Sequence, residues 1–118
     1  MELSIGHTAY RLVATERNGQ WTTHAVRTDS GERFGIEATA PSEPEAANRL
    51  TRWLEWQFEH TQALGALQQA ERAYHRAMAD AAFSVSADSV ASGSRTSLEL
   101  VDAARMQLDD VRAQRPNV

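Results

Sequence analysis

Apolar and polar residues alternate through most of the first forty positions, and the spacing then changes to a helical one that continues almost to the end. YRLVATER and QWTTHAVRT flank Asn18-Gly19, a dipeptide that accepts the positive φ angles of a type I′ turn and marks a two-residue hairpin. Pairing across that turn sets Leu12 opposite Ala25 and Ala14 opposite Thr23, so Tyr10, Leu12, Ala14, Trp21 and Ala25 share one face. A second turn around Ser30-Gly31 leads into RFGIEA and brings Phe34, Ile36 and Ala38 to the same face. Two turns agree on one apolar surface, which supports the register, because a slip of one residue would send every side chain to the other side. The opposite face, with Arg11, Val13, Thr15, Thr22, His24 and Val26, is mixed. The pattern predicts a three-stranded antiparallel meander over residues 8–40 and leaves 1–7 unassigned.

A helix is expected next, over 42–83. Ser42 and Glu45 have capping-box spacing, and Glu43 and Pro44 suit the first turn by charge and by fixed φ. Leu50, Trp53, Leu54, Trp56 and Phe58 spread over about half the helix circumference at roughly 100° per residue. Farther along, the apolar positions narrow to Leu64, Leu67, Tyr74, Met78 and Ala82, a heptad-like seam with polar interruptions. Gly65 disfavours helix by about 1 kcal/mol relative to alanine, too little to end it. The small, serine-rich stretch SVSADSVASGSR, residues 84–95, reads as a flexible connector. A second helix is expected over 96–115, opened by Thr96 and Glu99 as a capping box and ending before Pro116. Val101, Ala104, Leu108 and Val111 form its stripe, with Leu98 beside it.

These elements make an α+β fold within a single domain spanning 1–118. It comprises the three-stranded meander, one long α-helix, and a shorter C-terminal α-helix that folds back to form an antiparallel helical hairpin. At about 1.5 Å per residue the long helix greatly outreaches a seven-residue strand, so its far half needs cover other than the sheet.

Composition narrows the chemistry. With 42% hydrophobic and 24% charged residues the chain is ordinary for a globular domain. No cysteine is present, which excludes disulfides, thiolate nucleophiles and cysteine-type zinc sites. All 12 basic residues are arginine. Schiff-base chemistry and a Walker-type phosphate loop are therefore absent. Neither a membrane-spanning run nor a signal-peptide pattern occurs, so a cytoplasmic location without membrane insertion is expected. The net charge of −4 is evenly spread: acids exceed arginines five to four in 1–40, six to four in 41–83 and five to four in 84–118. No basic stripe results, and nucleic acid is not an expected partner.

Candidate reactive groups are few. Glu71 and His75 stand one helical turn apart, a spacing at which a carboxylate and an imidazole meet, but only Glu59 and His60 offer comparable further ligands. His7 and His24 read as separate structural or solvent-facing residues. The serines at 92 and 94 lack the strand-to-helix turn of a nucleophile elbow. Glu55 and Glu59 have the spacing of an acid–base couple, yet on a helix they make a solvated face. No catalytic, cofactor-binding or metal site, no cofactor and no small-molecule substrate is identified.

The aromatic residues are more informative. Trp56 and Phe58 point about 160° apart on a helix, so one sheet face cannot bury both. At least one of them should meet the C-terminal helix or another subunit. Trp56, Phe58, Leu67, Tyr74 and Met78 are accordingly the candidate interaction residues. The leading expectation is a small non-enzymatic protein–protein interaction or oligomerisation module, as a homodimer or a subunit of a larger assembly. A small hydrolase ranks third, behind a regulator suggested by a family resemblance. The order of three strands and a helix opened by SEPEAANRL resembles the HicB-like antitoxin domain over about residues 8–58. That family's Pro-Asp-Leu-Pro-Gly stretch is replaced here by RTDSGERFG. The resemblance implies an antitoxin-like regulator that binds a partner toxin.

Overall fold

A computed structural model describes residues 1–83 and 87–117, with side chains described for 1–80 and 95–117. Four strands, β1 (Glu2–Ile5), β2 (Thr8–Arg17), β3 (Gln20–Arg27) and β4 (Arg33–Ala40), precede two helices, α1 (Glu43–Phe83) and α2 (Ala87–Ala113). The fold is α+β, and its sheet is antiparallel in the order β1-β2-β3-β4.

The sheet has four strands where the sequence pattern indicates three. β1 pairs with β2 from Glu2↔Arg11 to Ile5↔Thr8 across the two-residue turn Gly6-His7, in which Gly6 has φ +63°. Such a turn needs a positive φ at its first central residue, and glycine supplies it without steric cost. A strand of four residues shows only two apolar alternations, Leu3 and Ile5, too few to reveal a period. Both side chains nonetheless pack against the core.

The expected hairpin register is observed. Leu12 stands opposite Ala25 and Ala14 opposite Thr23, with Asn18 at φ +54° and Gly19 at φ +78° in the turn. Between β3 and β4 the ladder is interrupted: Thr23 pairs with Ala38 but Ala25 pairs with Phe34, so residues 35–37 stand against His24 alone. Two additional residues preserve the parity, which keeps Phe34 and Ala38 on the same face. Gly35, at φ +83°, makes this bulge possible, and a Cβ there would lie 2.7 Å from Cζ3 of Trp53. The missing side chain is thus the space that the tryptophan ring occupies.

Helix α1 starts where the capping signal indicates. Ser42 Oγ accepts from the Glu45 amide at 3.4 Å, and the Ser42 carbonyl accepts from Ala46 at 3.1 Å. Arg49 donates to the Thr39 carbonyl at 2.7 Å and ties the second helical turn to β4. Ala46, Ala47, Leu50, Trp53 and Leu54 are buried, as are Tyr10, Leu12, Ala25 and Ala38 of the sheet. Alanines on both sides let helix and sheet approach closely. Thr23 is also buried, and its hydroxyl meets no hydrogen-bonding group among the described residues. Ala14 and Trp21, on the same sheet face, remain half-buried.

The chain divides into two compact units, one formed by Met1–Phe58 with the segment from Arg115 onward, the other by Glu59–Gln114. The second unit contains the rest of α1 and all of α2. Here the connector expected over 84–95 is corrected: the backbone is already helical at Ala87, while 84–86 lie outside the described residues. Serine, alanine and aspartate are tolerated within helices, and only Gly93 costs about 1 kcal/mol relative to alanine. Thr96 and Glu99 therefore lie within a helix instead of opening one. Val101, Leu108 and Val111 of the expected stripe are buried, Ala104 is half-buried, and Leu98 is exposed. No helix among the described residues is long and apolar enough to cross a membrane.

Candidate interaction surface

The five candidate interaction residues fall into both units, and the structure gives them different surroundings. Trp56 is half-buried against the sheet–helix core, its ring 6.4 Å from that of Trp53. The guanidinium of Arg115, two residues beyond α2, lies 5.6 Å from the Trp56 ring centroid. This is cation–π range, and the stacked arginine shields one face of the indole. Phe58, 38% exposed, lies over the Gly6 turn, where a Cβ would be 2.5 Å from its Cε2. The two aromatics do diverge, one toward the C-terminal segment and one toward the β1–β2 turn. Arg115 and Gly6 are contacts that local sequence patterns do not disclose, because each is made by residues more than fifty positions apart.

Leu67, Tyr74 and Met78 belong to the helical unit. Leu67 and Tyr74 are half-buried, and Met78 is 47% exposed. Between them in sequence stands Glu71, also half-buried, while the His75 ring lies 5.9 Å from that of Tyr74. Helices α1 and α2 meet where Arg112 Nε donates to His60 Nε2 at 3.3 Å. That bond requires an imidazole with its Nε2 lone pair free to accept. Nearby, a groove of about 530 Å³ is lined by Glu59, Gln62, Ala63, Ala66, Gln107, Asp110, Val111 and Gln114. Carboxylates and amides over an alanine–valine floor can exchange hydrogen bonds.

The remaining histidines are dispersed. His7 is in the β1–β2 turn. His24 is on the outer sheet face, where desolvation and then the charge of Arg33 hold its pKa below the ordinary 6.5. Among the described residues no three potential metal ligands converge. On the β3–β4 loop, Arg27 pairs with Asp29 at 3.1 Å. Desolvation, which alone would raise the Asp29 pKa, is outweighed by the hydrogen bond and charge of Arg27 together with hydrogen bonds from the Ser30 backbone and hydroxyl, and the value is lowered.

In comparisons with known proteins, no protein-family model, no curated protein and no solved structure matches the chain.

Proposed function

We propose that the protein is a non-enzymatic, cytoplasmic protein–protein interaction module that works through its helical unit. In this reading α1 and α2 form an antiparallel helical hairpin, the sheet with the first turns of α1 is the anchoring scaffold, and the open flank of the hairpin receives another protein surface.

One observation carries the reading. Across Glu59–Gln114 the buried apolar side chains among the described residues are Ala63, Val101, Leu108 and Val111. Meanwhile Met78, Leu98, Leu100 and Met106 are exposed. Two helices alone form a thin layer with little interior, and units of this size ordinarily need a further layer or another staple. A partner surface provides that layer by burying the flank at about 25 cal/mol per Å² of apolar area.

The test compares the wild-type chain with the double variant Leu67→Glu/Tyr74→Glu, both verified as folded by circular dichroism. Self-association is measured by sedimentation equilibrium, and capture of host proteins by affinity purification with mass spectrometry. The proposal expects at least one form of association to be present in the wild type and lost in the variant. If neither assay distinguishes the two chains, the interaction reading is wrong.

A further inference from the structure

β2 is longer than the strand beside it, and the difference leaves part of its edge unpaired. We propose that this edge takes up an extended segment of a partner protein as an added strand. The segment runs antiparallel to β2, with an aliphatic side chain facing Ala14 and a basic one facing Glu16. The site lies in the Met1–Phe58 unit and does not rest on the helical surface proposed above.

β2 spans Thr8–Arg17, but β1 pairs with it only from Thr8 to Arg11. The Leu12 amide donates to the Met1 carbonyl at 2.7 Å, and the pairing ends there. In an antiparallel ladder the backbone groups of successive residues point to opposite sides. The Leu12 amide points to the β1 side, so those of Ala14 and Glu16 point there too. On that side neither has a backbone partner among the described residues. A row of unpaired amides and carbonyls is a template for strand addition, in which main-chain bonds give affinity and side-chain pockets give specificity. The sheet's outer edges suit it less. β1 has 4 residues, while β4 is broken by the bulge at Gly35 and carries the Arg33–Glu37 pair.

The surroundings of the edge select the occupant. Met1 prolongs the line of β1, and with Glu43, Pro44, Ala47 and Asn48 of α1 it lines a cleft of about 290 Å³. Phe58 lies against Gly6, beyond the other end of β1. Ala47 is eleven residues earlier, about 16 Å back along the helix, which matches the roughly 16 Å that five strand residues span from Gly6 to Met1. Pro44 lies about 4.5 Å farther on, toward the place where an added strand would face Ala14. Ala14 is half-buried and Ala47 buried, so a side chain entering there is best aliphatic. Two positions along, on the same face of the sheet, Glu16 is exposed and makes no ion pair among the described residues. Opposite charges across neighbouring strands are favourable, so a lysine or arginine fits opposite it. A second copy of β2 fits worse. With the unpaired amides facing one another, antiparallel self-pairing sets Glu16 against Ala14 at the apolar cleft, or against the other copy's Glu16.

The probe is the capped pentapeptide acetyl-Thr-Lys-Thr-Leu-Thr-amide, whose leucine would face Ala14 and whose lysine would face Glu16. Titrated into the full chain and followed by NMR, it should shift the amide resonances of Ala14 and Glu16 with millimolar affinity and slow their hydrogen exchange. Aspartate in place of the leucine should abolish the effect. Glu16→Lys should weaken the lysine peptide by about threefold and strengthen a peptide with glutamate at that position. Ala14→Pro removes an outward amide while sparing the bonds to β3, and should weaken binding by about tenfold. Circular dichroism verifies that both variants fold, and if Ala14→Pro does not, the charge exchange at Glu16 decides. Absence of shifts well above millimolar peptide overturns the proposal, as do shifts centred on another edge and binding indifferent to the aspartate exchange. A dimer paired through β2 in the absence of peptide also overturns it, since the occupant is then a second copy.

Discussion

Gly19 and Gly35 both hold positive φ, yet their surroundings differ in a way that orders their tolerance to substitution. A side chain at Gly19 would project into open space, so Gly19→Val incurs only backbone strain, about 1 kcal/mol or more for a β-branched residue. At Gly35 the same change adds a clash with the buried Trp53 ring. Gly35→Val should therefore lower the denaturation midpoint further than Gly19→Val, and equal midpoints would mean that Trp53 is not held against the bulge. Gly6 is an intermediate case, because the clashing Phe58 ring is half-exposed and has room to swing aside. His24 leads to a pH prediction. Its folded pKa lies below 6.5, so in the interval between the two values the unfolded chain binds more protons than the folded one. The associated stability is complete above pH 6.5 and is lost as pH falls through the folded value. An NMR titration should find the His24 ring protonating below 6.5, and His24→Gln should flatten the stability profile in that interval. Arg33→Gln should recover only the smaller part of the shift, since desolvation is the larger cause.

The two helices show how far a local cap signal can be trusted. Ser42 followed by Glu45 and Thr96 followed by Glu99 have the same spacing, but only Ser42 caps a helix. Ser42→Ala should cost about 0.5–1 kcal/mol, as expected when an N-cap oxygen is lost. Thr96→Ala should cost less, because a position inside a helix favours alanine. The difference between the two urea midpoints measures it, and an equal or greater loss at Thr96 would mean that α2 begins there. A cap motif describes what a helix start can use; whether it is used depends on the residues before it. Preceding Ser42 are the strand β4 and Pro41, whereas helix-compatible alanine, serine and aspartate precede Thr96.

At the scale of the whole molecule, charge decides which partners are disfavoured. The net charge of −4 has no basic concentration in any third of the sequence. On the sheet surface, Arg33 is paired with Glu37, and Arg27 with Asp29. Release of condensed counterions from a phosphate backbone requires clustered positive groups, so random duplex DNA or RNA should not bind at submicromolar concentration in physiological salt. Salt-sensitive binding in that range, measured by fluorescence anisotropy, would contradict this and favour the regulator reading.

The pairing of β2 with β3 and the start of α1 were legible because each is determined by residues close in sequence. Asn18-Gly19 sets the turn, alternation sets the face, and Ser42 with Glu45 sets the cap. The membership of β1 was not legible, since a four-residue strand joins the sheet only because β2 offers it an edge and Leu3 and Ile5 a core to pack against. The bulge at Gly35 likewise depends on the Trp53 ring, eighteen positions away, and the surroundings of Trp56 depend on Arg115. For the candidate surface, the sequence revealed the apolar stripe of α1, because helical periodicity is a local property. It could not reveal which of those side chains are covered within the chain. Periodicity by itself determined the β2–β3 hairpin, the start of α1 and the faces of these elements; the tertiary structure decided that β1 joins the sheet and which side chains are covered, because burial depends on contacts between distant segments whose energies no local pattern contains.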